Sequence, residues 1–141
     1  MSNTSMIGIP PRRLDQLKAI GTALNLSVAD SIGHLIRREI AAGTIPDAIP
    51  GIVIRKAKDG VQITIDDGAT KTLKRDGARR LAATIRDVLD GQPATENLDY
   101  GFAVLRRGTG IKIAVPSPGV EHSFSPDLAR DLARLVDEAA A

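Results

Sequence analysis

The stretch that decides the fold is LNLSVADSIGHLIRREIAAG, residues 24–43. Its apolar residues Val28, Ile32, Leu35, Ile36 and Ile40 recur at helical spacing. Ser27 stands just before them as an N-cap, and Asp30, three residues on, is favourably placed against the positive helix end. Upstream, Leu14, Leu17, Ile20, Gly21 and Leu24 keep to one face of another helix that starts near Pro11, where the prolines pre-set the opening turn. Asn25 suits the left-handed residue that stops it. Two amphipathic helices of about four turns, with a three-residue break, cannot bury both stripes in each other, so a further surface is required.

Ahead of the helices, SMIGIP (residues 5–10) alternates Ile7 and Ile9 on one side with Met6 and Gly8 on the other. That pattern predicts a short strand with no partner in its own module. A second copy of the chain supplies both missing surfaces.

Residues 3–41 resemble a ribbon-helix-helix domain of the CopG and Arc repressor kind. The resemblance is carried by Ile7 and Ile9, by Leu14, Leu17 and Ile20, and by Asn25-Leu26-Ser27 with Ile32 and Ile36. It implies an intertwined homodimer whose paired strands enter the DNA major groove, while the start of each second helix, at Ser27 and Val28, clamps a phosphate. The expected dimer core is Ile7, Ile9, Leu17, Ile32, Leu35 and Ile36. The outward strand positions carried over are Thr4, Met6 and Gly8, of which only Thr4 can hydrogen-bond a base edge and Met6 can touch a thymine methyl. Arg12 and Arg13, at the strand-to-helix corner, are expected on phosphates, giving affinity with little sequence discrimination.

Beyond this module, Pro46 and Pro50 mark residues 44–51 as a linker, and Gly91 and Pro93 open a second over 92–99. Sliding the chain on itself by about 50 residues lays IVIRKAKDGVQITIDDG (52–68) over FAVLRRGTGIKIAVPSP (102–118). Gly60 meets Gly110, and Val61, Ile63 and Ile65 meet Ile111, Ile113 and Val115 with period two. After one inserted residue, Asp76, Ala78, Arg79, Leu81, Ala82 and Ile85 meet Asp127, Ala129, Arg130, Leu132, Ala133 and Val136 with helical spacing. Ser125-Pro126 is a sound helix start in the second copy, whereas Lys74-Arg75 caps poorly in the first. Each copy reads as a hairpin, a short third strand near TKTL (70–73) or EHSF (121–124), and a helix. The expected fold is α+β: a ribbon-helix-helix over residues 1–43, then β-β-β-α modules over 52–91 and 100–141.

Composition narrows the chemistry. The chain has 141 residues, and its only aromatic side chains are Tyr100, Phe102 and Phe124, so aliphatic residues must fill the core and base stacking is disfavoured. Without cysteine there is no disulfide, thiolate metal site or cysteine nucleophile. The net charge of +2 is small, but Lys plus Arg exceed Asp plus Glu by 9 to 6 over residues 51–91, against 5 to 4 before and 5 to 7 after.

Lys71, Lys74, Arg75, Arg79 and Arg80 form a basic cluster at the start of the first module's helix. It reads either as a solvated face, partly neutralised by Asp76 and Asp87, or as a patch for phosphate or an acidic partner. His34 pairs with Asp30 at i, i+4 spacing, and His122 belongs to a different module, so two histidines alone predict no metal site. Asp66-Asp67-Gly68 and GTGIKI (108–113) read as hairpin turns. No nucleophile, base and orienting group assemble from neighbouring motifs, so no enzyme and no cofactor are expected. MSNTSMIGIPPRR lacks a signal peptide's features and no run is long enough to cross a membrane, which predicts a cytoplasmic protein.

The function expected is that of a homodimeric DNA-binding transcriptional regulator, in an autorepressor or antitoxin-like role, bound to double-stranded DNA. Residues 52–141 would serve a protein partner or extend the dimer. A dimeric scaffold that keeps the fold without DNA binding is the competing expectation, because Met6 and Gly8 read bases poorly.

Overall fold

The computed structural model describes residues 5–141, and its fold is mixed α+β. The described residues form four helices and two antiparallel sheets. Two compact units are present, one ending at Asp47 and the other spanning Ala48–Ala141.

In the first unit, α1 (Pro11–Leu24) begins with proline in its opening turn and stops at Asn25, whose φ of 56° and ψ of 45° are left-handed. The chain turns within three residues into α2 (Val28–Ala41), where Ser27 Oγ accepts the Asp30 N–H at 3.1 Å. The turn is closed by the Leu26 N–H donating to Gly21 O at 2.8 Å. A Cβ on Gly21 would stand 2.7 Å from Leu26 O and 2.9 Å from Ser31 Oγ, so only glycine admits this close approach. Ser31 is itself buried, its hydroxyl donating to Ser27 O at 2.7 Å.

Residues 5–10, expected as a strand, carry no strand in the single chain. The reason is physical: a strand exists through its ladder, and among the described residues of this unit there is no other strand to pair with it. The expected pairing of Ile7 and Ile9 into an interior is therefore not made here, and both are exposed.

The second unit runs β1 (Ile52–Ala57), β2 (Gly60–Ile65), β3 (Lys71–Lys74), α3 (Arg75–Leu89), β4 (Thr95–Asn97), β5 (Phe102–Arg107), β6 (Gly110–Ala114), β7 (His122–Phe124) and α4 (Pro126–Ala140). The sheets are ordered β1-β2-β3 and β4-β5-β6-β7, every neighbouring pair antiparallel. Strand β4 corrects the reading of 92–99 as linker. Thr95 and Asn97 lack apolar alternation, yet they pair with Val104 and Phe102 because the free edge of β5 offers backbone partners. The segment 44–51 is likewise not all linker, since Ile49 packs against the core and its carbonyl accepts the Ile52 N–H at 3.1 Å.

The core lies wholly in this second unit. Val61, Ile63, Ile65 and Leu73 of the first sheet and Phe102, Val104, Ile111, Ile113 and Val115 of the second meet the buried faces of α3 and α4. Each helix packs on the other and touches both sheets. Ala78, Ala82, Ala129 and Ala133 are completely buried, small side chains that let the elements approach closely. Ser125 Oγ caps α4 by accepting the Leu128 N–H at 3.3 Å, whereas Lys74 offers α3 no side-chain cap.

Gly60 and Gly110 open their strands where the neighbouring β3 and β7 cross. A Cβ on Gly60 would collide with the Leu73 carbonyl oxygen, and one on Gly110 with that of Phe124. Gly60→Ala is expected to destabilise the second unit by about 3 kcal/mol, because the obstruction is backbone and cannot rotate away. Urea denaturation followed by circular dichroism checks this, and a loss below about 0.5 kcal/mol would contradict it.

Candidate nucleic-acid interface

The first unit has helices but no interior. Among its described residues only Gly21, Ser31 and Gly33 are buried, none of them a large apolar side chain. Ile7 is 81% exposed, Ile32 41% and Ile36 47%, and Leu24 and Ile45 are exposed as well. Leu17 and Leu35 are half-buried. Fully covering one such side chain contributes about 1.5–3 kcal/mol, so this stripe is a large unsatisfied driving force for association.

Of the positions expected on DNA, Thr4 lies outside the described residues. Met6 and Gly8 are fully open to solvent, and a Cβ on Gly8 would meet nothing within 4 Å. Arg12 and Arg13 are exposed in the first turn of α1, and Arg13 Nη1 donates to Gln16 Oε1 at 2.8 Å. At the start of α2, Ser27 takes the Asp30 N–H, while the Val28 and Ala29 amides belong to the same first turn, whose N–H groups have no carbonyl ahead of them in the helix. Asp30 places a carboxylate in that turn and opposes an anion there.

The basic cluster of the second unit is divided by the fold. Lys71 points toward Gly101, its Nζ 3.1 Å from where a glycine Cβ would stand. Lys74 and Arg75 line a hollow of about 410 Å³ together with Lys58, Asp59 and Asp76. Arg79 donates to Ala140 O at 3.3 Å, and Arg80 lines a different, polar hollow of about 640 Å³ with Asp87, Asp99 and Tyr100. Lys74 and Arg75 thus share one hollow, Arg80 lines another, and Lys71 and Arg79 reach Gly101 and Ala140.

The outward face of the first sheet is where polar side chains gather instead. Cross-strand register puts Arg55 opposite Gln62 and Gln62 opposite Thr72, and Val53 opposite Thr64 in the next row. Thr64 Oγ1 and Thr70 Oγ1 lie 2.7 Å apart at the end of that row. The signal was present in the sequence as period-two alternation, Gln62 and Thr64 standing between buried Val61, Ile63 and Ile65. The corresponding face of the second sheet differs. Ala103 and Ala114 are buried there, and Ser117 ties the chain after β6 back across this side, its N–H donating to Gly101 O at 2.8 Å and its hydroxyl to Glu96 Oε1 at 3.4 Å.

His122 Nδ1 sits 3.5 Å from Asp66 Oδ2, a contact between two loop-distant residues that sequence neighbours could not announce. Among the described residues no helix is long and apolar enough to cross a membrane, and no cluster of three or more His, Asp or Glu side chains could hold a metal ion. No protein-family model, curated protein or solved structure matches the chain.

Proposed function

We propose that the chain is a homodimeric DNA-binding transcriptional regulator whose first unit is a ribbon-helix-helix module. The observation that carries the reading is the coreless helix pair: Ile7, Ile9, Ile32 and Ile36 are exposed, and no large apolar side chain among the described residues of this unit is buried, whereas the second unit has a continuous buried core. A second copy brings an identical stripe, and its residues 5–10 provide the antiparallel neighbour that the strand lacks. That arrangement sets Arg12, Arg13 and the start of α2 around the paired strands, where duplex phosphates would lie.

The second unit, on this reading, holds two diverged β-β-β-α copies over residues 52–91 and 100–141. Support comes from the positions that overlay in the sequence. Val61, Ile63, Ala78, Leu81, Ala82 and Ile85 are all buried, as are Ile111, Ile113, Ala129, Leu132, Ala133 and Val136. Their role is to bind a partner or to extend the dimer. Exposed Met6 and Gly8, which offer a base edge no side-chain hydrogen bond, favour the second reading of a dimeric scaffold without specific DNA contact.

The test is binding of random duplex by the full chain against the double variant Arg12→Ala with Arg13→Ala. Because phosphate contacts dominate, all duplexes should be bound more weakly by a similar factor, and the salt slope should fall by roughly one unit per lost contact on each half-site. Unchanged affinity and slope would favour the scaffold.

A further inference from the structure

The outward face of the first sheet carries Val53, Arg55, Gln62, Thr64, Thr72 and Lys74, and no carboxylate. Such a face is usually a mixture of both charges, since an antiparallel sheet turns one side to water. Here the nearby acidic residues stand off the strands: Asp59 between β1 and β2, Asp66 and Asp67 after β2, and Asp76 in the first turn of α3. At the Asp59 end, Lys58, Lys74 and Arg75 line the 410 Å³ hollow together with the carboxylates Asp59 and Asp76, an excess of one positive charge. The residues in the middle are those that read bases: Arg matches guanine and Gln matches adenine through paired hydrogen bonds, and threonine supplies a hydroxyl or a methyl contact. Arg55 and Gln62 are directly opposite on β1 and β2, so their reach is shared over one patch. Outer strands of a three-stranded sheet lie about 10 Å apart, comparable with the B-DNA major groove at about 12 Å. The second sheet's outward face differs: it carries Glu96 as well as Arg107 and Lys112, Arg107 donates to Ser123 Oγ at 2.6 Å, and its alanines Ala103 and Ala114 are buried.

We propose that this sheet face is a second DNA-reading surface, with Arg55 and Gln62 on base edges and Lys74 on an adjacent phosphate. It supplies the sequence discrimination that Met6 and Gly8 cannot. The assignment rests on the reading of the chain as a DNA-binding dimer, and the experiment separates the two.

Duplexes are selected from a random pool by the wild-type full chain, and dissociation constants are measured for the selected and for random duplex. Arg55→Ala with Gln62→Ala should weaken the selected duplex by roughly ten- to a hundredfold and random duplex only a few-fold, removing most of the preference. Arg55→Lys, which keeps the charge but loses the planar fork, should lose preference while holding random duplex as wild type does. Lys112→Ala, a charge removed from the second sheet's outward side, should change neither. An unchanged preference in the Arg55 and Gln62 variant overturns the proposal, and so does displacement of duplex by polyglutamate at equal charge, which would mark an acidic protein partner. If the Arg12 and Arg13 variant loses all binding while the sheet variants behave as wild type, the proposal falls and the N-terminal reading stands. The converse pattern supports the sheet surface and removes the N-terminal one. A wild-type chain that binds no duplex overturns both.

Discussion

Ile36→Asp is expected to turn the proposed dimer into a monomer. Ile36 is 47% exposed in the single chain, so the substitution disturbs little within its own helix pair. In a twofold dimer, however, the change occurs twice and places two carboxylates where apolar surface should close. Losing two such side chains from the interface costs on the order of 5 kcal/mol, which raises the dimer dissociation constant by at least three decades. Sedimentation equilibrium at micromolar concentration checks this. A variant that remains dimeric would place the interface elsewhere, and a wild-type chain that is monomeric would remove the dimer altogether.

Phe102→Ala should have the largest effect on folding of the second unit while leaving dimerisation intact. Phe102 is completely buried, one of three aromatic residues in the chain, and opens β5 between the sheet and the helix layer. Truncating it leaves a cavity that aliphatic neighbours, fixed on two sheets and two helices, refill only in part. The expected loss is about 3–5 kcal/mol. Urea denaturation should show it as an earlier transition of Ala48–Ala141, with the same sedimentation behaviour below that transition. A loss under about 1 kcal/mol, or simultaneous loss of the dimer, would contradict an independent core.

Local chemistry made much of this architecture legible in the sequence. Pro11, Asn25, Ser27 and Ser125 mark helix ends because caps and left-handed stops depend on a few adjacent atoms. The alternation of Val61, Ile63 and Ile65 gave strand and buried face together, since the strand period is two. Strand β4 was not legible, because Thr95–Asn97 becomes a strand through the edge of β5 and not through its own pattern. The surroundings of the basic cluster were not legible for a related reason: Lys71 ends up beside Gly101, and Arg79 reaches the end of α4, destinations set by tertiary packing. The proximity of His122 to Asp66 belongs to the same class. In the candidate interface, Arg12 and Arg13 were visible as a corner pair, while Arg55, Gln62 and Thr72 became a patch only once register joined three strands.

The most direct measurement is equilibrium binding of the full chain, across a series of salt concentrations, to random duplex and to the DNA upstream of its own coding sequence. A dimeric regulator with phosphate clamps on each half-site should show a steep negative dependence of log affinity on log salt. Several phosphate contacts give a slope of roughly −0.9 per contact, and the upstream DNA should bind more tightly than random duplex at every salt concentration. A chain that stays dimeric yet binds neither DNA measurably at low salt would contradict the account and leave the scaffold reading in its place.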